Sequence, residues 1–563
     1  MSLNGVLNIG KSALAAQQAA MQVTTNNVAN AGNPQYTRQV ARLTPAEGQQ
    51  LRPGMYVGGG VALAGIERQI DESLQARLRD SAGDVSCAQT RQQLLARLEA
   101  VFNELGDDDL SSRLSAFFGA WSGLANNPQD AGLRTTVIQT GRSLAQTIRD
   151  MRQRFAAVAA DIDADLAAAV EQADSLTRQI ADLNGRITAA EGGASGSANT
   201  LRDQRDALLG QLCELLEISF RDTGEAPAVV MAGTEAVVAG NSSRGLTLRT
   251  EAGSAAPTVA VREDGATVSP ASGRIGGLLA ARADAQRALA DLDALASALI
   301  WEANRLHSSG QGLEGYASLT AANAVRDTGA ALNSAAAGLD FAPVNGSFVV
   351  HVRNGSSGLS STTLIKVDLS GTGPQTTLES LRESLDAVAG VSASISNGRL
   401  RIATDSPDLT VTFSDDSSGV LAALGINVFF TGSSAEDIGV DDSLAARPSL
   451  LAAAANGQPA DNQTARALAD LENTALRSLN GGTLAQAYER MVQRVAAAGA
   501  GAATELNAAQ AVAETLAAQR EATSGVSLDE EAINLIRQQR AFQGAAKIIA
   551  AVDEMLRTLL QMV

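Results

Sequence analysis

The sequence contains few of the residues from which catalytic and metal sites are usually built. Only two histidines, His307 and His351, and two cysteines, Cys87 and Cys213, occur in 563 residues. They do not have the spacing of zinc ligands, and no zincin helix, nucleophile elbow or Walker sequence is present. We therefore expect no enzymatic activity, no metal and no cofactor. The cysteine positions are compatible with two free thiols or with one disulfide.

Aromatic residues are also scarce, at 3% of the chain, although hydrophobic residues reach 45%. Cores must therefore be built from Ala, Leu and Val, which suits long and closely packed helices. No run of eighteen apolar residues occurs, so we expect no transmembrane helix. Residues 1–37 lack the charged and apolar regions of a cleavable signal, which predicts either a cytoplasmic protein or export by a route that reads no such signal.

Positive charge is not concentrated anywhere along the chain. The net charge is −18 and the isoelectric point is about 4.7, and no long basic patch occurs. This composition argues against nucleic acid and against an anionic membrane as partners. Solubility is a sufficient explanation for the acidic surface.

The clearest pattern lies in the C-terminal segment, 524–563. It predicts a helix of about 35 residues with one narrow apolar stripe, as in a coiled coil. Ser527 is suited to cap the start of this helix. Because an isolated helix would leave the stripe in water, the helix needs a partner. The stripe consists of apolar residues at strict intervals of seven, namely Leu528, Leu535, Phe542, Ile549, Leu556 and Val563.

A matching pattern opens the chain. Its apolar residues recur every seven positions on a predicted helix, and a second row with the same interval of seven begins at Leu3. Two interpretations follow. Either the two terminal helices pair with each other, so that the chain leaves and returns at the same place, or each terminal helix forms a coiled coil with copies of itself. The main row consists of Leu7, Leu14, Met21 and Val28.

Between the termini, helical periodicity alternates with β-prone stretches. Asn397-Gly398 lies between two alternating runs and predicts a tight hairpin. The fold class predicted is multidomain and mainly α: an elongated helical bundle whose N- and C-terminal coiled-coil helices are brought together, plus inserted β and α+β domains. The predicted domains are a terminal coiled coil (1–37 with 524–563), a helical bundle (38–216 with 274–315 and 441–523), a small β domain (217–273) and an outer α+β domain (316–440).

Three local predictions concern the middle of the chain. Thr376 and Glu379 have the spacing of a capping box before a short helix. His307 lies near the end of a helix, where a protonated imidazole would favour the negative end of the helix dipole. A helical pattern resumes from about residue 445.

Two segments of this sequence, one near each end, resemble those of a known family. In combination they resemble the flagellar rod, hook and hook-associated axial proteins, and the C-terminal segment is most similar to the hook-associated members. The N-terminal segment is a turn that directly follows the first predicted helix, and the C-terminal segment opens the last one. The motif residues are Asn26, Asn27, Asn30 and Tyr36 near the N-terminus and Gly525, Asp529 and Glu530 near the C-terminus.

The resemblance implies a structural protein of the bacterial flagellum. Such a protein forms the first hook-associated ring at the hook–filament junction by self-assembly through its terminal helices. The implied partners are copies of itself, the hook protein, a second hook-associated protein and an export chaperone. The resemblance also implies secretion through the flagellar type III apparatus without a cleavable signal peptide. The alternative function is a secreted, adhesin-like module at 316–440 carried on a helical stalk.

Overall fold

The structure is a computed structural model. Helices make up 56% of it, which confirms the predicted mainly α, multidomain fold. It describes residues 3–33, 36–52, 55–103, 109–192, 197–223, 226–250 and 257–562. The helices are α1 (Leu3–Ala29), α2 (Glu72–Asn103), α3 (Leu110–Asn126), α4 (Ala131–Glu191), α5 (Asn199–Leu215), α6 (Gly273–Ser308), α7 (Leu378–Asp386), α8 (Val420–Leu424), α9 (Asp442–Ala446), α10 (Gln463–Asp470), α11 (Leu484–Ser524) and α12 (Leu528–Gln561).

The strands are short and pair only in antiparallel fashion among the described residues. They are β1 (Gln39–Pro45), β2 (Gln49–Arg52), β3 (Met55–Val57), β4 (Val61–Arg68), β5 (Ser219–Arg221), β6 (Val229–Ala232), β7 (Glu235–Ala239), β8 (Ser242–Ser243), β9 (Leu246–Thr250), β10 (Pro257–Val261), β11 (Thr267–Val268), β12 (Ser318–Thr320), β13 (Gly346–Asn354), β14 (Ser360–Val367), β15 (Val391–Ser396), β16 (Arg399–Thr404), β17 (Leu409–Ser414), β18 (Phe430–Thr431) and β19 (Gly439–Val440).

The chain divides into two compact units. We call them the terminal unit, which comprises Met1–Leu94, Asp161–Arg282 and Ala500–Val563, and the central unit, which comprises Leu95–Ala160 and Ala283–Gly499. The terminal unit contains α1, α12, β1–β11 and α5, and the central unit contains α3, α7–α10 and β12–β19. Each unit therefore combines long helices with small antiparallel sheets.

In the terminal unit, the second part of α4 carries a buried apolar stripe. Ile162, Leu166 and Ile180 on this stripe are fully buried. A polar contact joins the helix to the sheet β9–β11. The buried carboxylate of Asp174 accepts from the backbone N–H of Leu246 at 2.8 Å and from Arg262 at 2.9 Å. This carboxylate thus provides an acceptor for the N–H of Leu246, the first residue of β9, which the strand pairing leaves without one.

The central unit has an aromatic core. Phe117 and Trp121, one turn apart on α3, are both completely buried, as is Phe429. The ring centroid of Phe117 lies 5.4 Å from those of both Phe429 and Phe430. Aromatic pairs at such distances contribute about 0.5–1.5 kcal/mol beyond their buried area. The core therefore joins residues that are some three hundred positions apart in sequence.

Most strands of the central unit belong to two three-stranded sheets, β14-β13-β17 and β12-β16-β15, and β18 pairs with β19. The hairpin between β15 and β16 turns at Asn397 and Gly398, whose φ angles are 53° and 73°. Both residues occupy the left-handed region that a type I′ turn requires, so the hairpin prediction is confirmed.

The structure corrects three local predictions. The capping box of α7 is formed by Thr377 and Ser380, one residue later than the predicted Thr376 and Glu379. Between residues 442 and 483, only short helices and turns occur, and the long helix begins at Leu484. His307 is not a charged group at a helix end, because burial lowers its pKa to about 4. Its ring is completely buried, contacts the carbonyl of Asn427 at 2.9 Å and accepts from the N–H of Ala452 at 3.0 Å.

Both cysteines are free thiols in the structure, Cys213 buried and Cys87 partly exposed. Burial raises the pKa of Cys213 to about 12, so it is protonated at neutral pH. Within the part of the chain that the structure describes, no helix combines the length and the apolar character needed to span a bilayer.

Candidate assembly site at the chain termini

Helices α1 and α12 pack against each other in antiparallel fashion, and we call them the terminal helix pair. Two contacts define their alignment. Near one end, a Cβ atom at Gly10 would lie 2.8 Å from Cγ1 of Ile549, so only glycine allows this close approach. Near the other end, the amide of Asn27 donates to Oε2 of Glu531 at 3.1 Å. The terminal helices thus pair with each other within one chain.

The predicted seam residues lie along this contact to different degrees. Small side chains occupy its centre, with Ala16, Ala20 and Ala545 buried together with Val23 and Val552. Two predicted residues at the far end of the seam, Val28 and Leu528, are 38% and 56% exposed, and Val563 lies outside the described residues. The other predicted members are half-buried along the same contact, and they are Leu3, Leu7, Leu14, Met21, Leu535, Phe542, Ile549 and Leu556.

A buried polar cluster closes the end of the pair where α12 begins. Asn27, which is 1% exposed, lies at its centre. The Asn27 amide donates to the carbonyl of Gln39 at 2.8 Å, and its carbonyl oxygen accepts from the N–H of Gln39 at 3.0 Å and from the hydroxyl of Tyr36 at 2.7 Å. A side-chain amide that uses both its donor and its acceptor in this way is fully satisfied without water.

Arg38 completes the cluster by joining the two chain ends. Its guanidinium contacts Oε1 of Glu531 at 2.7 Å and Oε2 of Glu530 at 3.0 Å. Glu531 is 2% exposed, whereas the side chain of Glu530 is 62% exposed. Because a buried carboxylate is costly without a partner, the contact with Glu531 matters more than that with Glu530. We call Asn27, Tyr36, Arg38, Gln39 and Glu531 the terminal clasp.

The clasp is continuous with a second ion-pair cluster. Arg68 on β4 contacts Asp203 at 2.9 Å and Asp206 at 2.7 Å, both on α5. Burial raises the pKa of Asp203, and hydrogen bonds from Arg68 and Thr37 oppose this shift. Burial, followed by the charges of Asp203 and Glu531, raises the pKa of Tyr36 to about 12, so its hydroxyl remains a donor at neutral pH. The segment after α1 that contains Tyr36 and Arg38 therefore contacts α12 on one side and α5 on the other.

A cavity of about 350 Å³ lies beside the clasp. It is lined on one side by the turn after α1, residues 30–33 and Tyr36. The other side is formed by the end of α11 and the residues that follow it, namely Arg520, Glu521, Ser524, Gly525 and Val526. Ser524, the last residue of α11, is 5% exposed, and its hydroxyl has no hydrogen-bond partner in the described part of the chain. At Gly525, a Cβ would lie 2.3 Å from the carbonyl oxygen of Glu521, which explains why glycine stands there.

The motif residues do not contribute equally to this site. Asn27 and Tyr36 belong to the clasp, and Asn30 donates within the turn to the carbonyl of Asn26 at 2.9 Å. Asp529 is exposed near the positive end of α12, where a negative charge is favourable. Glu531 was missing from the predicted site residues, as were Arg38, Gln39 and Asp203. The available signal was the position of Glu531, a charged residue in line with the buried face of α12.

The described residues contain no group of three or more His, Cys, Asp or Glu side chains placed to hold a metal ion.

Two family models match the chain. The model of the flagellar hook-associated protein FlgK helical domain matches residues 95–322, and the model of the flagellar basal body rod FlgEFG protein C-terminal region matches residues 517–562. The second match includes the whole of α12. The flagellar hook-associated protein 1 of Escherichia coli K12 is 24% identical over 99% of this chain and 100% of its own length. The corresponding Salmonella typhimurium protein is 27% identical with the same coverage.

Over its full length, this chain is similar to flagellar hook-associated protein 1. The resemblance seen in the two terminal segments is thereby confirmed and extends over the full length. The Bacillus subtilis family member is 30% identical over 41% of this chain and 47% of its own length. A solved structure, that of the flagellar hook junction protein FlgK from Burkholderia pseudomallei, covers 81% of this chain and 100% of its own, with a TM-score of 0.48 and 17% identity.

Proposed function

We propose that this protein forms the first hook-associated ring at the hook–filament junction of the bacterial flagellum. It assembles through its terminal helices, and its role is structural. Full-length similarity to hook-associated protein 1 supports the location. The surface of the terminal unit supports the mode of assembly.

The distribution of exposed apolar side chains carries this proposal. Of the seventeen large apolar side chains that are exposed in the described part of the chain, thirteen lie in residues 28–63 or 528–562. Spacings of seven, four and three residues place four of them on one side of α12, and we call this set the outer stripe. Contiguous exposed apolar surface marks a protein interaction site. The outer stripe consists of Ile548, Met555, Leu559 and Met562, which are 43%, 49%, 48% and 79% exposed.

A second apolar surface lies on the hairpins after α1. Leu43 on β1 is paired with Leu63 on β4, and both are exposed, as is Val40. Tyr56 on β3 is 67% exposed. Two different apolar surfaces on one unit are suited to head-to-tail contacts between copies, which generate rings or open helical assemblies. Each copy thus covers on its neighbour what the isolated chain leaves in water.

The proposed position at the hook–filament junction also implies partners, a location and a mode of action. The partners are further copies of this chain, the hook protein below, a second hook-associated protein above and an export chaperone before assembly. The protein acts outside the cell in the flagellum, which it reaches through the type III apparatus without a cleavable signal. It works by packing, with no catalytic step, metal or cofactor.

Electron microscopy of cells that lack this gene tests the proposal. We expect hooks without filaments and flagellin shed into the medium, both restored by the wild-type gene. Normal filaments on the deleted cells would contradict the junction role. They would direct attention to the alternative, an adhesin-like module at 316–440, which the family assignment does not favour.

The proposed outer domain can be tested separately. Its predicted range, 316–440, includes Phe429 and Phe430, which pack against Phe117 in the central core. An excision should therefore spare them. The hydrogen bond from the N–H of Ser417 to the carbonyl of Ser347, 2.9 Å long, brings the chain together at a suitable place. Replacing residues 348–414 by a short Gly-Ser linker should leave filaments intact if this domain takes no part in assembly, and loss of filaments with a folded core would place it in the subunit contacts.

A further inference from the structure

The apolar rows of the terminal helix pair do not by themselves define one alignment. Leu7, Leu14 and Met21 recur every seven residues on α1, as do Phe542 and Ile549 on α12. Sliding one helix by seven residues, about 10.5 Å at 1.5 Å per residue, brings the same rows together again. Heptad seams of this kind are prone to alternative registers unless a polar or shape-specific contact selects one.

The carboxylate of Glu531 is a contact that does not repeat. In the observed register, it is buried between Asn27 and Arg38. A shift of seven residues in one direction would place Glu531 beside Ala20, which is seven positions before Asn27. A shift in the other direction would carry it past Ala29, where α1 ends. Either way the carboxylate loses Asn27 and Arg38, and a buried carboxylate without partners is strongly unfavourable.

Gly10 adds a shape-specific contact at the opposite end of the pair. It faces Ile549 so closely that a Cβ would lie 2.8 Å from Cγ1 of that side chain. In the shifted registers, Ile549 would face Leu3 or Gln17, neither of which leaves this space. Gly10 itself would face Phe542 or Leu556. The two ends of the pair therefore favour the same register for different physical reasons.

We propose that Glu531, held by Asn27 and Arg38, is the positioning residue that fixes the register of the terminal helix pair. The close contact between Gly10 and Ile549 favours the same register. The clasp also ties this register to the rest of the terminal unit. Asn27 is hydrogen-bonded to both backbone groups of Gln39 at the start of β1, and Arg38 precedes that strand directly. Helix α12 is thereby aligned with the hairpins as well as with α1.

The consequence for assembly rests on the function proposed above, whereas the register itself does not. A slip of seven residues would displace the outer stripe of α12 by about 10.5 Å relative to the hairpins that carry Leu63 and Tyr56. Copies with different registers would then present their apolar surfaces at different heights. A single fixed register makes the surface of every copy equivalent, which a repeating assembly requires.

Disulfide trapping in the full-length purified chain tests the register directly. Cys87→Ser and Cys213→Ser remove the native thiols. The antiparallel alignment set by Gly10 and Ile549 places Leu14 opposite Ala545, so Leu14→Cys with Ala545→Cys reports the native register. Leu14→Cys with either Gln538→Cys or Val552→Cys reports a slip by one heptad. Oxidation at low protein concentration followed by non-reducing electrophoresis measures crosslinks within one chain.

With Glu531 present, we expect only the Leu14–Ala545 pair to crosslink efficiently. Glu531→Ala should raise the ratio of shifted to native crosslinks by about tenfold or more. Glu530→Ala is the matched control, since this neighbouring glutamate is exposed and should leave the ratio unchanged. If Glu531→Ala abolishes every crosslink, Glu531→Gln is the variant that tests the proposal, because it removes the charge and keeps the side-chain volume. It should raise the ratio of shifted to native crosslinks, but by less than the factor expected for Glu531→Ala.

An unchanged ratio in the deciding Glu531 variant would overturn the register role, as would equal crosslinking of native and shifted pairs in the parent chain. Neither result depends on flagella. Conversely, the chain could keep one register and still fail to restore filaments in deleted cells. That result would support the register role of Glu531 and contradict the proposed function.

Discussion

The terminal and central units are of nearly equal length, yet their interiors are built differently. Thirteen of the seventeen aromatic residues lie in the central unit. There, Phe117, Trp121 and Phe429 are completely buried. In contrast, α12 buries only Glu531, Ala545 and Val552 fully along 34 residues. The central unit thus completes its core within one chain, whereas the terminal helix pair keeps much of its apolar surface available for partners.

The largest expected effect on stability lies in the aromatic core. Phe117→Ala should lower the free energy of unfolding of the central unit by about 3–5 kcal/mol, because it removes a fully buried ring and leaves a cavity. Both tryptophans, Trp121 and Trp301, belong to the central unit, so tryptophan fluorescence during chemical denaturation reports that unit alone. A loss below about 1 kcal/mol would mean that this cluster is not the stabilising core.

Acid should weaken the central unit selectively, because both histidines lie there. Burial lowers the pKa of His307 from 6.5 to about 4. Between these values, the unfolded chain binds the proton and the folded chain does not, so stability is complete above pH 6.5 and falls as the pH drops towards 4. The loss should reach roughly 3 kcal/mol. Burial also lowers the pKa of His351, which adds an effect of the same sign.

Tryptophan-monitored denaturation at pH 7 and at about pH 4.5 measures this difference. His307→Gln should reduce the dependence on pH even if it lowers stability at both values, since it removes the titrating group. An equal dependence in the wild type and in this variant would show that other groups are responsible.

A smaller effect is expected from breaking the terminal clasp. Asn27→Ala leaves the hydroxyl of Tyr36 and the N–H of Gln39 without their acceptor, which should cost about 1–3 kcal/mol. The loss should appear in the helical signal of far-ultraviolet circular dichroism and not in tryptophan fluorescence. Asn8→Ala is the matched control, because Asn8 is an exposed asparagine on the same helix. Equal losses in the two variants would mean that the buried amide has no special role.

The smallest effect on stability is expected on the outer stripe. Ile548→Ser combined with Met555→Ser should change the free energy of unfolding by only about 0.5 kcal/mol per site, since nearly half of each side chain is already exposed to water. Far-ultraviolet circular dichroism during denaturation checks this. A large loss would show that these residues already stabilise the single chain, and it would remove the contrast with the central core.

Features with a local periodic signal could be predicted from the sequence. The seven-residue spacing predicted α12, which begins at Leu528 with Ser527 as its N-cap. Asn397-Gly398 predicted its hairpin because the turn type depends on those two residues alone. Both signals lie within one element, so no knowledge of distant contacts was needed.

Features that depend on distant residues could not be predicted in the same way. Arg38 and Glu531 are 493 positions apart, and nothing in either segment identifies the other as its partner. His307 has the sequence setting of an exposed helix end, but contacts from Asn427 and Ala452 bury it. The aromatic core likewise unites α3 with residues near 430. Tertiary packing decides each of these features.

The most direct measurement is electron microscopy of gene-deleted cells that produce the Ile548→Ser and Met555→Ser variant. Leu359→Ser with Leu364→Ser is the matched control, because these side chains of the central unit are 74% and 56% exposed. Both variants should be secreted and folded. We expect hooks without filaments for the α12 variant and normal filaments for the control. Normal filaments with the α12 variant would contradict assembly through the terminal helices.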